Sequence, residues 1–159
     1  MPNDIQRPAV KIGVPAPYLR VNDAARAIQF YADAFGATQI VRLAEPSGRV
    51  AHAELRFGGL DGATVMLSDE YPENGLLGPA ARGGTSVALI MYVPDVDDVC
   101  ARVERAGGVV RSKPKLDPFG DRTAKITDPC GHEWIVATRV EHLSAADVHE
   151  RFDNKMRGA

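Results

Sequence analysis

Three polar side chains, two of them able to take part in proton transfer, alternate along the segment VAHAELRF, residues 50–57. Successive side chains of a β-strand point to opposite faces, so an alternating segment presents one apolar face and one polar face. The apolar set, which we expect to face a helix, comprises Ala51, Ala53, Leu55 and Phe57. The polar set, an imidazole, a carboxylate and a guanidinium, comprises His52, Glu54 and Arg56.

This polar stripe admits three interpretations. It is either a solvated sheet face with one loose ion pair, worth about 0 to 1 kcal/mol, or the wall of a cavity. In a cavity wall, a bound ligand and Arg56 would bias His52 and Glu54 toward acid–base or hydrogen-bonding roles. Chelation of a metal by His52 and Glu54 together is the third interpretation, and it requires a third ligand that the sequence does not obviously supply.

A second polar set lies in DRTAKITDP, residues 121–129. Thr123 and Lys125 share one strand face, and Lys125 and Arg122 can each bind an anionic or carbonyl oxygen. Solvation at the surface is the alternative for both cations. Arg122 follows a glycine at a loop-to-strand joint, where it can instead hold the turn.

The segment DPCGHEWIVAT, residues 128–138, combines a tight turn with side chains typical of metal sites. Asp128 can bond the following backbone, Pro129 fixes the corner, and Gly131 permits a sharp entry into the final strand. We expect His132 to brace this turn rather than to touch a ligand.

The two cysteines, Cys100 and Cys130, do not form the framework of a secreted disulfide protein. Cys100 lies in a helical pattern, and we expect it to be a small buried hydrophobe. Cys130 lies in a turn, where we expect partial exposure. A nucleophilic role for Cys130 would need an oriented base, which the turn does not provide.

The same order of elements occurs twice along the chain. Hydrophobic periodicity predicts strand, helix and three strands for a first module at about residues 14–70, and the same for a second at about 86–139. Between them, residues 70–85 concentrate Pro, Gly and Asn, which is typical of a linker or a mobile loop. The Ser144 to Asp147 spacing predicts a short C-terminal helix at about 144–153.

An internal duplication is supported by arithmetic. Asp23 and Asp95 each come two residues after a strand-ending valine, and their offset is 95 minus 23, or 72. Both helices also end in glycine, at Gly36 and at Gly107 or Gly108, within a residue of that offset. We therefore expect an α+β fold in which two tandem βαβββ modules form curved mixed sheets around a cavity.

Composition excludes several partners. A net charge of −2 on 159 residues gives no electrostatic footprint for nucleic acid or an anionic membrane. The N-terminal MPNDIQRPAV lacks the apolar core of a signal peptide, and no apolar run reaches the roughly 20 residues that a membrane span needs. We expect a soluble, cytoplasmic protein that binds neither nucleic acid nor membrane.

Five motifs in this order resemble those of the vicinal oxygen chelate superfamily, the glyoxalase, bleomycin-resistance and dioxygenase group. The motifs are PYLRVNDAARAIQFYADAFGA, HAELRFG, VMLSDE, GDR and DPCGHEW. The likeness covers about residues 14–150 and is greatest to the PhnB-like branch. It implies a cavity on the concave side of the sheets, often completed across a dimer, so we expect a homodimer.

The resemblance also places the superfamily's metal ligands on four strand positions. In this chain they hold Ala16, Met66, Ala88 and Ile135. None of these side chains binds a hard or borderline cation, whereas catalytic zinc takes three ligands from His, Cys, Asp or Glu. We therefore expect no metal and no other cofactor.

The remaining candidates suit an organic ligand. Tyr18 and Tyr92 lie on the side of each module's first strand that we expect to face the cavity. Each offers an apolar ring with a polar hydroxyl tip, and packing in the core or at the rim is the alternative for both. Met66, Ile90 and Ile135 would add an apolar floor, which is typical of small-molecule sites.

Three functions remain open. The first is a protein that binds a small organic molecule without metal, as the drug-resistance members do. The second is a metal-dependent lyase, isomerase or dioxygenase of the glyoxalase type. The third is a metal-independent enzyme that uses His52, Glu54 and Lys125 as acid, base and oxyanion binder.

Overall fold

A computed structural model describes Gly13 and residues 15–158, which form two four-stranded mixed sheets. The strands are β1 Tyr18–Val21, β2 Thr38–Ala44, β3 Val50–Phe57, β4 Ala63–Asp69, β5 Ala88–Tyr92, β6 Val109–Leu116, β7 Asp121–Thr127 and β8 Glu133–Arg139. The helices are α1 Ala24–Phe35, α2 Pro79–Arg82, α3 Val96–Arg105 and α4 Ala145–Arg157. The predicted α+β class and the order of the elements are confirmed.

Both sheets have the same topology. Their strand orders are β1-β4-β3-β2 and β5-β8-β7-β6. In each sheet the first strand runs parallel to the last, and the other pairs are antiparallel. A parallel neighbour requires a crossover, and α1 and α3 supply it in the two halves.

The two crossover helices begin in the same way. Asp23 caps α1 by accepting from the amide of Arg26, and Asp95 caps α3 by accepting from the amides of Asp97 and Asp98. An oxygen at this position satisfies amides that a helix leaves unpaired at its start. At its other end, α1 is followed by Gly36 in the left-handed conformation, with φ 68°.

An aromatic cluster joins the two halves of the chain. It comprises Phe30, Tyr31, Phe35, Phe57 and Trp134. Trp134, from β8, lies 5.0 Å from Phe35 and 5.6 Å from Phe57 between ring centroids. Because the other four rings come from the first half, packing of this single tryptophan couples the second sheet to the first helix.

Asp128 lies buried at the centre of this junction, with 4% of its surface exposed. Its carboxylate accepts from the Tyr31 hydroxyl at 2.5 Å and from the Trp134 indole at 3.2 Å. It also accepts from the backbone amides of Cys130 and His132 at 2.9 and 3.0 Å. Burial and the adjacent Asp128 carboxylate raise the pKa of Tyr31, so this phenol stays a donor.

The predicted alternation of β3 holds for most of the strand. Ala53, Leu55 and Phe57 are buried, and the residues between them are partly exposed. The prediction that Ala51 faces the helix is wrong, because Val50 is buried there instead and Ala51 is partly exposed. The register against β2 skips Ala51, which is the extra residue of a β-bulge, and a bulge reverses the alternation beyond it.

The segment 70–85 is ordered by hydrogen bonds within itself. Glu70 accepts from the Gly78 amide at 2.7 Å, and Arg82 donates to the carbonyls of Leu77 and Gly75. The segment contains a short 3₁₀-helix, Pro72–Asn74, and α2. A composition rich in Pro and Gly therefore encodes specific turns here.

Helix α4 begins with the predicted capping box between Ser144 and Asp147. It extends to Arg157, four residues beyond the predicted end. None of its residues is buried, and Phe152 and Met156 remain exposed on its surface. Among the described residues, no helix is long and apolar enough to cross a membrane.

Candidate functional site

The open face of the second sheet carries a cavity of about 610 Å³. The second sheet supplies its floor, and the linker with α2 supplies one wall. The lining residues are Pro79, Ala80, Gly83, Gly84, Thr85, Ala88, Arg111, Lys125, Ile126, Thr127, Gly131, Glu133, Trp134 and Ile135. A volume of this size accommodates a drug-sized organic molecule.

Strand register places residues of the open face in two rows across the second sheet, and all of them except Ile90 line the cavity. The outer row is Ala88, Glu133 and Thr127, and the inner row is Ile90, Ile135 and Lys125. Side chains directly opposite on neighbouring strands have Cβ atoms about 5 Å apart. Each row therefore sets apolar surface beside one or two polar groups, which suits an amphipathic ligand.

The first sheet carries a separate polar chain, which joins three of its side chains. The Tyr18 hydroxyl lies 2.8 Å from Nδ1 of His52, and Nε2 of the same ring lies 3.2 Å from the Glu54 carboxylate. In the tautomer with the proton on Nε2, Tyr18 donates to His52 and His52 donates to Glu54. The Arg20 guanidinium lies 4.4 Å from the centroid of the Tyr18 ring and donates to Ser68. These contacts orient the imidazole and the phenol on one face.

Met66 and Arg56 lie on that same face of the first sheet. Met66 pairs with Tyr18 on one side and with Glu54 on the other. Arg56 lies next along β3, opposite Thr64. The predicted polar stripe thus forms one surface with Tyr18, but this surface does not line the cavity of the second sheet.

Tyr92 is held at the end of β5 by a charged pair. Its hydroxyl donates to Asp121 at 2.8 Å and accepts from Arg139 at 3.2 Å, and Arg139 also binds Asp121. The hydrogen bonds from Arg139 and Tyr92 lower the pKa of Asp121. The phenol tip of Tyr92 is therefore occupied within the chain, while its ring stays exposed.

Arg122 and Lys125 lie on opposite faces of β7. Arg122 points toward the helix layer, where its guanidinium makes a bidentate pair with Asp97 of α3 at 2.8 and 2.9 Å. Thr123 and Lys125 lie on the open face, and Lys125 lines the cavity. The structure therefore does not bring Arg122 together with the other predicted ligand-binding residues.

Both thiols are buried. Burial raises the pKa of Cys100 and that of Cys130 to about 11 in each case. The prediction that Cys130 is partly exposed is wrong, because its turn packs under α1 and the Cys130 thiol faces the Asp23 carbonyl. At neutral pH both groups are protonated and poorly nucleophilic.

The imidazole of His132 reaches beyond its own turn to the first sheet. Its Nε2 lies 2.8 Å from the carbonyl of Arg20 in β1. Gly131, at φ 93°, lets the chain turn beside α2, and a Cβ there would lie 3.1 Å from Pro79. The DPCGHEW turn thus connects the first sheet, the linker wall and the cavity floor.

The sequence of this chain matches a known protein family. The sequence model of the Glyoxalase/Bleomycin resistance protein/Dioxygenase superfamily matches residues 11–136. The chain belongs to this superfamily.

Relatives of this superfamily member include proteins with and without a described role. An uncharacterized protein of Mycobacterium bovis is 36% identical over 136 residues, which cover 84% of this chain and 88% of that protein. TnmS3, described as an antibiotic binding protein from Streptomyces sp. CB03234, is 26% identical, with a TM-score of 0.60 over 82% of this chain and 98% of its own. TioX from Micromonospora sp. ML1 is 26% identical, with a TM-score of 0.59 over 83% and 100%.

The four positions that the resemblance assigns to metal ligands are spread over both sheets. Ala16 precedes β1 and is exposed, Ala88 opens β5, and Met66 and Ile135 lie at the centres of β4 and β8. None of the four offers a nitrogen, carboxylate or thiolate ligand, so this set does not fit a divalent metal. Among Gly13 and residues 15–158, no three His, Cys, Asp or Glu side chains lie close enough to hold a metal ion.

Sequence reasoning missed two parts of the cavity. Arg111 lies on β6, where the residue types show no alternating pattern that would have pointed to it. Residues 79–84 were interpreted as part of a linker or a mobile loop. Both reach the site through contacts distant in sequence, since Pro79 packs on Gly131 and Arg111 bonds to Thr127. A one-residue bulge and a wall formed by a linker leave no periodic signal.

Proposed function

We propose that this superfamily member binds a small organic molecule in the cavity of the second sheet, without the superfamily's usual metal site. The observation that carries the proposal is a cavity of about 610 Å³ whose lining combines apolar side chains with charged and hydroxyl groups. Ile135 stands at the centre of that floor, between Ile90 and Lys125. Such a site binds by shape and apolar contact, with the polar groups fixing orientation.

Two further points support the proposal. TnmS3, which shares the fold and 26% of its aligned residues, is described as an antibiotic binding protein. The side chains at the four metal positions leave a metal without ligands there. We place the chain in the PhnB-like branch on the motifs of its sequence.

We extend the proposal to a homodimer with a shared cavity. The open faces of both sheets leave large apolar side chains exposed, among them Tyr18, Ile90 and Tyr92. Contiguous exposed apolar surface is typical of a protein–protein interface or a ligand groove. A second copy whose first sheet covers the cavity would bring the His52 chain opposite Lys125.

The experiment is a thermal-shift screen of drug-sized organic molecules in EDTA, followed by calorimetric titration of the strongest hit. Lys125→Ala is expected to weaken that hit by about tenfold, since a hydrogen bond to a charged group contributes about 1.5 to 3 kcal/mol. His52→Ala is expected to weaken it as well if a second copy completes the cavity. Sedimentation velocity on the same sample gives the mass of the complex.

Arg105→Ala is the matched control, because Arg105 is an exposed cation of α3 outside the cavity. It should leave the affinity unchanged. Unchanged affinity in both Lys125→Ala and His52→Ala would contradict the placement of the cavity wall. A screen that gives no hit in EDTA, but gives hits once EDTA is replaced by a divalent metal, would contradict the metal-free site.

One observation favours a second function, metal-independent proton transfer. The Tyr18–His52–Glu54 chain joins a phenol, an imidazole and a carboxylate by hydrogen bonds on an open face. An imidazole oriented by a carboxylate is the usual arrangement for activating a hydroxyl group. In this function Tyr18 is the group that exchanges a proton with the substrate. In the proposed homodimer, Lys125 of the partner subunit binds the carbonyl oxygen of that substrate.

Exchange of α-protons with D2O in aryl methyl ketones, followed by proton NMR, tests this second function. The wild-type protein should accelerate exchange, and Tyr18→Phe and His52→Ala should each reduce the acceleration by at least about 100-fold. Tyr71→Phe is the control, since the Tyr71 hydroxyl bonds to Glu45 instead. A wild-type rate equal to that of buffer would exclude this activity for these substrates.

A further inference from the structure

Two cations without acidic partners share the cavity of the second sheet. Arg111 and Lys125 both line it, and among the described residues neither forms a salt bridge. Several other arginines of the described chain are paired, as Arg122 is with Asp97. Two unpaired cations in one concave site create a local positive potential that attracts anions.

A break in strand register places these cations side by side. Val110 pairs with Ile126 and Ser112 pairs with Lys125, which leaves Arg111 as the extra residue of a β-bulge. In a bulge, two residues of one strand oppose one residue of the partner strand. Arg111 and Ser112 therefore both lie opposite Lys125, and bulges near binding sites commonly redirect a side chain in this way.

The Arg111 side chain is also oriented. Its Nε donates to Oγ1 of Thr127 at 3.0 Å, which fixes the plane of the guanidinium while its other N–H groups make no hydrogen bond within the described chain. A guanidinium held in this way can bind a carboxylate, sulfonate or phosphate through two parallel hydrogen bonds.

One carboxylate opposes this preference. Glu133 also lines the cavity, in the row next to that of Lys125. It forms no salt bridge among the described residues. The lining still carries two positive charges against one negative charge. Glu133 therefore lowers the affinity for an anion, but the net charge of the lining stays positive.

Taking the proposed small-molecule site as its basis, we infer that the ligand is an amphipathic organic anion. Its acidic group binds Arg111 and Lys125, and its apolar body lies on Ile135 and Ala88. Carboxylates, sulfonates and phosphate esters share the chemistry that these two cations recognise. A neutral molecule of the same shape loses the charged contacts and keeps the apolar ones.

Two fluorescent probes of nearly the same shape test this inference. 1-Anilinonaphthalene-8-sulfonate carries a sulfonate, and N-phenyl-1-naphthylamine has the same ring system without it. The sulfonate is expected to bind the full-length protein about tenfold more tightly than the neutral amine, since one charged hydrogen-bonded pair contributes at least that much. Ile135→Trp should abolish binding of both probes, which locates them in the cavity.

Substitutions within the cavity then separate charge from shape. Arg111→Met and Lys125→Met should each weaken the sulfonate about fivefold to tenfold and leave the neutral amine unchanged. Glu133→Gln should strengthen the sulfonate, and Arg105→Met, outside the cavity, should change neither probe.

The outcomes distinguish the inference from the proposed function beneath it. Equal affinity for the two probes, or sulfonate binding unaffected by Arg111→Met and Lys125→Met, overturns the anionic ligand while the organic-molecule site stands. Failure of both probes to bind overturns the site itself, and the anion preference with it.

Discussion

Replacing Asp128 by alanine is expected to lower the free energy of unfolding by about 3 to 5 kcal/mol. The buried carboxylate accepts from Tyr31, Trp134 and the amides of Cys130 and His132. Removing it leaves four donors at the junction of the two halves without their acceptor, and each such loss costs about 1 to 3 kcal/mol before relaxation. Urea unfolding followed by the fluorescence of Trp134, the single tryptophan, measures the change.

Two controls isolate the role of this carboxylate. Asp61→Ala, at an exposed position, should change stability by no more than about 0.5 kcal/mol. Tyr31→Phe removes one of the four donors and should cost less than Asp128→Ala. A loss below about 1 kcal/mol in Asp128→Ala would show that Asp128 does not hold the two halves together.

Substituting Ile135 by tryptophan is expected to weaken ligand binding by at least about 100-fold, or about 2.7 kcal/mol. Ile135 is partly exposed at the centre of the cavity floor, between Ile90 and Lys125. A larger ring there occupies space that the ligand needs, and cavities of this kind bind mainly through shape and apolar contact. Calorimetric titration of the hit from the screen measures the affinity.

The matched variant is Ile40→Trp, which makes the same chemical change on the exposed first sheet, away from the cavity lining. It should leave both affinity and melting temperature close to those of the wild type. Undiminished binding in Ile135→Trp would move the ligand to another surface, with the face of His52 and Tyr18 as the first alternative.

Local rules predicted most of the fold. The helix cap at Ser144 depends on a neighbour three residues away, so the sequence alone reveals it. The alternation of β3 and β8 likewise depends on the constant period of a strand. The bulge at Ala51 breaks that period, and the pattern of residue types gives no sign of it.

Residues of the candidate site could be predicted only where they lie on a strand without a bulge. Strand parity placed Lys125 on one face with Thr123, the resemblance singled out Ile135, and both Lys125 and Ile135 line the cavity. Asp128 was interpreted as a turn residue, although its strongest contact is with Tyr31, 97 residues earlier. Contacts at such separation follow from packing of the two halves, which a single sequence does not encode in any local pattern.

The likeness to metal-using enzymes in the DPCGHEW turn is likewise explained by packing. Asp128 and His132 serve the junction between the halves, and burial keeps Cys130 protonated at neutral pH. The side chain at the position that the resemblance assigns to a metal ligand in this strand is Ile135. The motif therefore reflects the fold of the superfamily rather than a metal site.

Chemical-shift mapping of the ¹⁵N-labelled protein in EDTA, titrated with the strongest hit, tests the central claim most directly. Binding in the cavity predicts saturable shifts at the amides of Lys125, Glu133 and Ile135, together with those of the α2 wall at residues 79–84. Shifts confined to the first sheet around His52, or shifts that arise only after a divalent metal is added, would contradict a metal-free small-molecule site on the second sheet.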